Sequence, residues 1–279
     1  MILALVLALG IGISLGMLGG GGSILTLPIL VYVLHLEAKP AVATSLFVVG
    51  ITSVAALVPH ARAGRVRYKI GLAFGAASMT GAFVGGKVSH FLPSKGLLLA
   101  FAVVMLVTAL AMMRPRRAAP AALARPWGRI LAVGFAVGIL TGILGAGGGF
   151  VIVPALALLC GLEMPAAVAT SVVIIAINSL AGFVGYVGVV PVDFKLAGAV
   201  TAAAVVGSVI GAALSSKVRP DTLRGAFAWL VLTMSAFMLG REAHVAAGAL
   251  ALGVGVGVAL YLRRAKKRAT AAAEAPRPA

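Results

Sequence analysis

The sequence predicts an all-α polytopic integral membrane protein built from two inverted-topology repeats. Hydrophobic residues make up 62% of the 279 residues and charged residues only 10%, which leaves too few polar side chains to cover a water-soluble globule. Apolar stretches long enough to cross a hydrocarbon core of about 30 Å recur along almost the whole chain. A stretch from the first half also returns, in the same order, in the second half. Together these three observations predict the fold class.

Eleven apolar segments follow one another, and most of the charges lie in the short loops between them. We place them at 2–18, 24–36, 41–59, 70–91 and 97–113, then at 130–144, 150–162, 167–187, 195–215, 223–240 and 245–262. The predicted units are a first transmembrane repeat (1–113), a basic cytoplasmic linker (114–129), a second repeat (130–240), an additional helix (241–262) and a basic cytoplasmic tail (263–279). We expect the tail to be unstructured.

The internal repeat has a spacing of 126 residues and no gap within its core. LGGGGSILTLPIL followed by AVATS in the first half becomes LGAGGGFVIVPAL followed by AVATS in the second. The matched pairs are Gly19 and Gly145, Pro28 and Pro154, Glu37 and Glu163, Thr44-Ser45 and Thr170-Ser171, and, further along, Gly81 and Gly85 with Gly207 and Gly211. The last four glycines form GxxxG patterns, which predict close helix contacts. Each half therefore has the same plan of five apolar segments.

The distribution of Lys and Arg distinguishes two topologies, because cytoplasmic loops are enriched in these residues. If each glycine-interrupted region, 2–36 or 130–162, is a pair of crossings or a re-entrant hairpin, the two halves are inverted. Loops 61–69, 114–129 and 217–224 and the tail then share one side and hold 18 of the 23 basic residues. If each region crosses only once, the same count splits 11 to 12. The charges favour inversion, with a cytoplasmic C-terminus.

Segments 24–36 and 150–162 are too short to span a bilayer comfortably, since 13 residues make only about 20 Å of helix. We interpret them as halves of hairpins that dip into the membrane around two glycine tips. The first glycine tip is Gly19–Ser23 and the second is Gly145–Gly149. Glycine lets a ligand approach the backbone amides, and a helix N-terminus attracts negative charge. Two tips that face one another near the midplane would form an anion site.

The residues predicted to bind the substrate lie in the tips, in the two AVATS motifs and one helix further along. They are Gly20, Gly21, Gly22, Ser23, Thr44, Ser45, Gly147, Gly148, Gly149, Thr170, Ser171 and Asn178. The alternative, which stays open, is that the glycines serve helix packing and the hydroxyls bond their own backbone. Pro28 and Pro154, in the first turns of the short helices, are structural candidates that would kink these helices.

Glu37 and Glu163 are candidates for proton coupling, because they stand at equivalent segment ends and carriers often use a carboxylate near the membrane. Simple solvation at the interface is the other reading. The four histidines are scattered without cysteines or carboxylates at ligand spacing, so no metal site is predicted. The tips lack the Lys-Ser/Thr ending of a phosphate-binding loop, so no ATP or other cofactor is indicated.

The net charge of +17 indicates lipid headgroups rather than nucleic acid as the partner. Basic residues are clustered between apolar segments and do not form a basic globular face. We therefore expect the basic loops to lie on anionic lipid headgroups. The expected location is a bacterial-type inner membrane, crossed several times.

The paired stretches LGGGGSILTLPIL–AVATS and LGAGGGFVIVPAL–AVATS resemble the repeated signature of the sulfite exporter TauE/SafE family of membrane permeases. The resemblance extends over roughly residues 5–240, although the additional last helix and its tail are not part of the pattern. It implies transport of sulfite, thiosulfate or an organosulfonate such as sulfoacetate. By position, it emphasises the two tips, Pro28 and Pro154, and the two Thr-Ser pairs.

These observations predict a secondary transporter of a small anion that works by alternating access, with a proton or sodium as a possible coupling ion. They leave the direction of transport open, and the resemblance to sulfite exporters implies export. We do not expect an enzyme. A passive anion channel is one alternative, although the sparse hydroxyls and the lack of charged rings argue against it. A non-transporting membrane subunit that scaffolds a partner is the other alternative.

Overall fold

The computed structural model describes residues 2–89, 94–113, 127–144, 148–186 and 190–274, and all regular structure in this part is helical. The helices are α1 (Ile2–Leu18), α2 (Gly21–Pro28), α3 (Ala38–Arg62), α4 (Tyr68–Ser89), α5 (Ser94–Met113), α6 (Trp127–Leu144), α7 (Gly149–Pro154), α8 (Met164–Tyr186), α9 (Phe194–Ser215), α10 (Pro220–Glu242) and α11 (Val245–Glu274). Two π-helical turns, Ile29–Val33 and Ala155–Leu159, continue α2 and α7.

The predicted segments coincide with these helices, mostly within a few residues, because apolar composition alone identifies them. One expectation is wrong: the part of the tail that the structure describes is helical, since α11 continues to Glu274. Its sequence after Leu262 is rich in Ala, Arg and Lys, which are strong helix formers. Of the predicted basic linker 114–129, residues 114–126 lie outside the described residues, and residues 127–129 form the start of α6.

The first helix of each half packs against a helix of the other half: α1 packs on α9, and α6 packs on α4. Gly207 and Gly211 of α9 lie against the backbone of Leu9 and Ile13 of α1, where an added Cβ would be 2.2 Å from either carbonyl oxygen. Residue numbers rise together along the two helices, so they are parallel. The same arrangement recurs 126 residues away, where Gly81 and Gly85 of α4 pack on α6. The close contacts predicted from the GxxxG patterns are thus present, in both halves.

Helices that occupy equivalent places in the two halves pack on each other in an antiparallel manner. In the central pair, Gly50 of α3 lies against Leu180 of α8, while Leu46, four residues earlier, lies against Gly182. α5 and α10 behave similarly, because Ser235 donates to the carbonyl of Ala102 at 2.8 Å and Arg224 to that of Met112 at 2.8 Å. α3 and α8 form the centre of the molecule, with most of their side chains buried.

Four helical stretches in the described part of the chain are long and apolar enough to cross a membrane. They are Lys39–Arg62, Met164–Tyr186, Phe194–Ser215 and Pro220–Glu242. Shorter apolar helices include Leu3–Leu18 and Trp127–Ile143. Many large apolar side chains, among them Phe83 and Leu250, are exposed on the outside. These features fit a helix bundle whose solvent is lipid.

Candidate functional site

The first glycine tip interrupts the helical path between α1 and α2. Gly19 has φ +72°, a left-handed conformation that glycine adopts without steric cost. Its N–H donates to the carbonyl of Leu15 at 2.7 Å, and the N–H of Gly20 donates to that of Leu18 at 2.9 Å. α2 begins one residue later, at Gly21. The glycines therefore end one helix and start another within two residues.

The second glycine tip is described only at its end, since residues 145–147, and with them the predicted Gly147, lie outside the described residues. Gly148 has φ +68° and precedes the first residue of α7, Gly149. A Cβ at Gly148 would lie 2.2 Å from the Cγ2 atom of Thr141. Both the conformation and the space at this position therefore require glycine.

The two tips touch. A Cβ added to Gly20 would lie 2.0 Å from the carbonyl oxygen of Gly149, and one added to Gly149 would lie 2.6 Å from the Oγ atom of Ser23. An added Cβ at Gly19 would meet the Oγ atom of Ser171 at 2.5 Å. The structure thus brings together the two glycine tips, Ser23 and Ser171, whereas Thr170 lies against Arg67 and Gly71. Backbone from one half contacts backbone from the other without an intervening side chain.

Several predicted hydroxyls near the tips bond to backbone groups. Ser23 donates to the carbonyl of Gly20 at 2.9 Å, and Ser171 donates to that of Val168 at 2.8 Å. Thr170 accepts a hydrogen bond from the N–H of Arg67 at 3.0 Å. Ser23 and Ser171 thus use the ordinary bond of a helical hydroxyl to a carbonyl three residues earlier, whereas Thr170 joins α8 to the residue before α4. Thr44 and Ser45, the equivalents in the first half, are buried too. Gly22 packs against the side chain of Leu15.

Asn178 pairs with a residue of another helix and not with a glycine tip. Its Nδ2 atom donates to the Oγ atom of Ser78 on α4 at 2.8 Å, and its Oδ1 atom lies 3.1 Å from the same hydroxyl. Ser78 also lies 3.0 Å from the carbonyl of Gly75. This polar group joins α8 to α4 inside an apolar interface, where a hydrogen-bonded pair fixes the relative position of two helices.

Pro28 is the last residue of α2 and Pro154 the last residue of α7, in the third and second turns of these short helices. Each is followed at once by a π-helical turn. In these turns Leu34 donates to the carbonyl of Ile29 at 3.1 Å and Cys160 to that of Ala155 at 2.9 Å, both five residues back. Proline has no N–H to donate and its ring crowds the preceding turn. The helix next to each proline therefore forms hydrogen bonds to the residue five positions back instead of four. The prolines reshape the helices in the same way in both halves.

Glu37 and Glu163 are exposed and stand directly before α3 and α8. Their carbonyls accept from the N–H groups of Ala41 at 2.9 Å and Ala167 at 2.8 Å, which are the first bonds of these helices. Neither carboxylate is brought to a glycine tip. Within the residues that the structure describes, no three His, Cys, Asp or Glu side chains come close enough together to hold a metal ion.

His60 is a buried polar residue that the sequence did not single out. Its side chain is 2% exposed, and its Nε2–H donates to the carbonyl of Gly16 at 2.9 Å. Gly16 lies in the last turn of α1, directly before the first glycine tip. The Nδ1 atom has no hydrogen-bond partner in the described part of the chain. The repeat gives no signal here, because the equivalent residue is Tyr186.

Tyr32 and Glu242 form a polar contact between the first half of the chain and the end of α10. The Tyr32 hydroxyl donates to Oε1 of Glu242 at 2.5 Å, and the Arg241 guanidinium lies 5.3 Å from the centre of the Tyr32 ring. This contact ties the first π-helical turn to the end of α10. Leu158 takes the place of Tyr32 in the second half. The two halves are therefore similar in backbone but different in this contact.

The helical fold, its long apolar spans and its lipid-facing surface define a multi-pass membrane protein. The chain belongs to the sulfite exporter TauE/SafE family, whose model matches residues 4–238. A probable membrane transporter protein of Xylella fastidiosa is 30% identical over 240 residues, which cover 83% of this chain and 92% of the relative. The probable membrane transporter protein YdhB of Bacillus subtilis is 28% identical, with coverage of 81% and 94%.

A third relative, a probable membrane transporter protein of Methanocaldococcus jannaschii, is 28% identical over 263 residues, with 85% of this chain and 96% of the relative covered. No solved structure matches the chain. The family and these relatives make this chain a member of a family of membrane transporters. The matched region extends from α1 into α10 and contains both glycine tips.

Proposed function

We propose that the chain is a permease that exports a small anion, either sulfite, thiosulfate or a small organosulfonate, by alternating access. The single observation that carries this proposal is the contact between Gly20 and Gly149, which joins the two glycine tips at the interface of the two halves. Backbone amides at such a junction become available to an anion when the tips separate. The description of the family as sulfite exporters supports the choice of anion.

The inverted arrangement of the halves is part of the proposal. It is supported by the antiparallel packing of α3 on α8 and of α5 on α10, which are equivalent helices of the repeat. Equivalent helices that run in opposite directions relate the halves by an axis in the membrane plane. The basic loops then lie on cytoplasmic lipid headgroups of a bacterial-type inner membrane, with the C-terminus in the cytoplasm.

In this mechanism the two tips act as the moving boundary between the halves. Gly20 and Gly149 close against each other when no anion lies between them. The anion enters as the tips part, and the hydroxyls of Thr44, Ser45, Thr170 and Ser171, near the starts of the central helices, orient it. For Ser171 this requires its O–H to exchange the bond to the Val168 carbonyl for one to the anion. A proton or a sodium ion supplies the driving force. Glu37 and Glu163 stand on opposite membrane faces in the inverted model and are the carboxylates to test for proton coupling.

The proposal is tested by flux measurements on the purified chain in proteoliposomes. Labelled sulfite, thiosulfate and methanesulfonate are added in turn, with and without a pH or sodium gradient. A permease gives saturable, gradient-dependent flux that unlabelled substrate on the other side accelerates. Flux that rises linearly with concentration would indicate a channel, and no flux of any of the three anions would refute the proposal. Glu163→Gln with native pH dependence would exclude this residue as the proton carrier.

A further inference from the structure

Two buried serines at the centre of the molecule have hydroxyls without partners. Ser53 of α3 and Ser179 of α8 are both 0% exposed. Neither Oγ atom has a hydrogen-bond partner among the residues that the structure describes. The two serines are 126 residues apart and therefore occupy equivalent positions of the repeat. An unpaired hydroxyl in an apolar interior is unfavourable, so its presence in both halves requires a reason.

Several other buried hydroxyls bond to the preceding turn of their own helix, although in the described part of the chain the hydroxyl of Ser14 in α1 also has no partner. Ser171 donates to the carbonyl of Val168 at 2.8 Å, Ser215 to that of Ala212 at 2.7 Å, and Thr201 bonds its own helix at 2.6 Å. This is the usual solution for Ser and Thr in a membrane helix. The Ser53 and Ser179 hydroxyls do not use it, so each O–H remains available to a ligand.

The two hydroxyls lie on facing sides of the central helix pair. An added Cβ at Gly50 would lie 3.5 Å from the backbone nitrogen of Leu180, which sets the level at which α3 and α8 cross. Ser53 follows Gly50 by one turn, and Ser179 precedes Gly182, which faces α3, by one turn. Residues three apart share a helix face. Because the helices are antiparallel, the two serines are offset by about 3 Å along the axis.

One face of α8 extends from the first glycine tip to the place where α3 and α8 cross. Ser171, which an added Cβ at Gly19 would touch, lies on the same side of α8 as Ile175 and Ser179, since positions i, i+4 and i+8 form one stripe. Ile175 in turn is one of the side chains that limit the space at Gly149. A solute released at the tips would therefore meet the two serines about two turns further along α8.

We propose that Ser53 and Ser179 form a second solute site, at the crossing of α3 and α8, which binds a monoanionic oxyanion such as methanesulfonate or bisulfite. The free groups are O–H donors, and a donor needs an acceptor, which an oxyanion oxygen supplies. A cation would use hydroxyl lone pairs, which remain available on hydroxyls that already donate. α8 contains no charged residue, and α3 carries Lys39 and Arg62 only near its ends. Among apolar side chains, two neutral donors can stabilise a monoanion better than a dianion, because burying a second negative charge costs more free energy.

The site rests on the proposed transport function and makes two opposite predictions for the same variants. Ser53→Ala and Ser179→Ala each remove one donor to the anion, so each raises the KM for methanesulfonate about tenfold. Both variants also remove an unpaired buried hydroxyl, so the thermal unfolding temperature in detergent stays the same or rises. Ser215→Ala is the matched control: it removes a buried hydroxyl that bonds its own helix and leaves KM unchanged. Native KM in the Ser53→Ala, Ser179→Ala double variant would overturn the inference.

A second measurement tests the site without relying on flux. In a Cys160→Ala background, Ser53→Cys and Ser179→Cys are each treated with a small water-soluble thiol reagent in the presence or absence of methanesulfonate. Protection from labelling by methanesulfonate, with no protection by an equal concentration of sodium chloride, supports the site. Equal labelling under all conditions contradicts it. If the native chain carries no anion flux, the proposed function fails, and the labelling result then decides this site by itself.

Discussion

Replacing Gly20 with alanine tests whether the contact between the glycine tips is needed for transport. Gly20 has φ −75° and ψ −10°, a conformation that alanine adopts freely. Any effect of Gly20→Ala is therefore steric and does not come from backbone strain. The added methyl group would lie 2.0 Å from the carbonyl oxygen of Gly149 and 2.3 Å from its carbonyl carbon. These are backbone atoms, which cannot rotate away as the end of a side chain can.

The magnitude follows from that overlap. Ordinary contact requires the tips to move apart by more than about 1 Å, and overpacking of this kind costs about 1–3 kcal/mol. If transport requires the tips to close, the same free energy lowers the rate by about 5- to 150-fold. We therefore expect Gly20→Ala to lose most of its saturable flux and to unfold at a lower temperature than the native chain.

The assay is initial flux into proteoliposomes with equal amounts of reconstituted protein. Gly10→Ala is the matched control, because Gly10 lies in α1, the helix that leads into the first glycine tip, and an added Cβ there has no neighbour within 4 Å. This control is expected to keep native flux and stability. Native flux and native unfolding temperature in Gly20→Ala would refute the reasoning, since the tips would then not meet as the structure has them.

Three further predictions concern packing, capping and topology. Gly207→Leu inserts a side chain where a Cβ alone would be 2.2 Å from the Leu9 carbonyl oxygen, so we expect destabilisation by about 3 kcal/mol in thermal unfolding, whereas Gly198→Leu, in open space, has no effect. Asp193→Ala removes the side-chain hydrogen bonds that cap α9 and lowers the free energy of unfolding by about 1 kcal/mol. Asp193→Asn, measured in the same way, retains most of the stability that the cap contributes. A fluorescent reporter fused after Arg268 folds in the cytoplasm and is fluorescent; an alkaline phosphatase fusion that is active there instead would contradict the inverted topology.

The positions of the helices could be predicted from the sequence because a membrane span is a property of composition. The close contacts at Gly81 and Gly207 could be predicted as well, since a GxxxG pattern specifies a helix face without side chains. The sequence could not identify the partner of each face. Nothing in the local pattern of α1 indicates that it packs on α9 of the other half, because this choice depends on how all the small-residue surfaces fit together.

Two features of the site were missed for different physical reasons. His60 depends on a single bond to the carbonyl of Gly16, and no periodicity reports such a long-range contact. Ser53 and Ser179 did carry a signal, because each lies eight residues after the serine of an AVATS motif and the pair repeats at the spacing of the halves. The sequence does not show that these hydroxyls are buried and lack the usual bond to the backbone of their own helix. These two structural facts distinguish Ser53 and Ser179 from other serines in the helices.

The repeat also explains why the polar groups of this chain can be so few. In the proposed inverted arrangement an axis relates α3 to α8 and brings each residue near the crossing close to its own equivalent, so that one serine per half would yield two donors at one place. The same symmetry brings two glycine tips together from one motif per half. In the proposed site, neutral donors would hold an anion weakly, which favours the release that the proposed carrier requires. A lysine there would bind the anion more tightly and would also have to be desolvated within apolar helices.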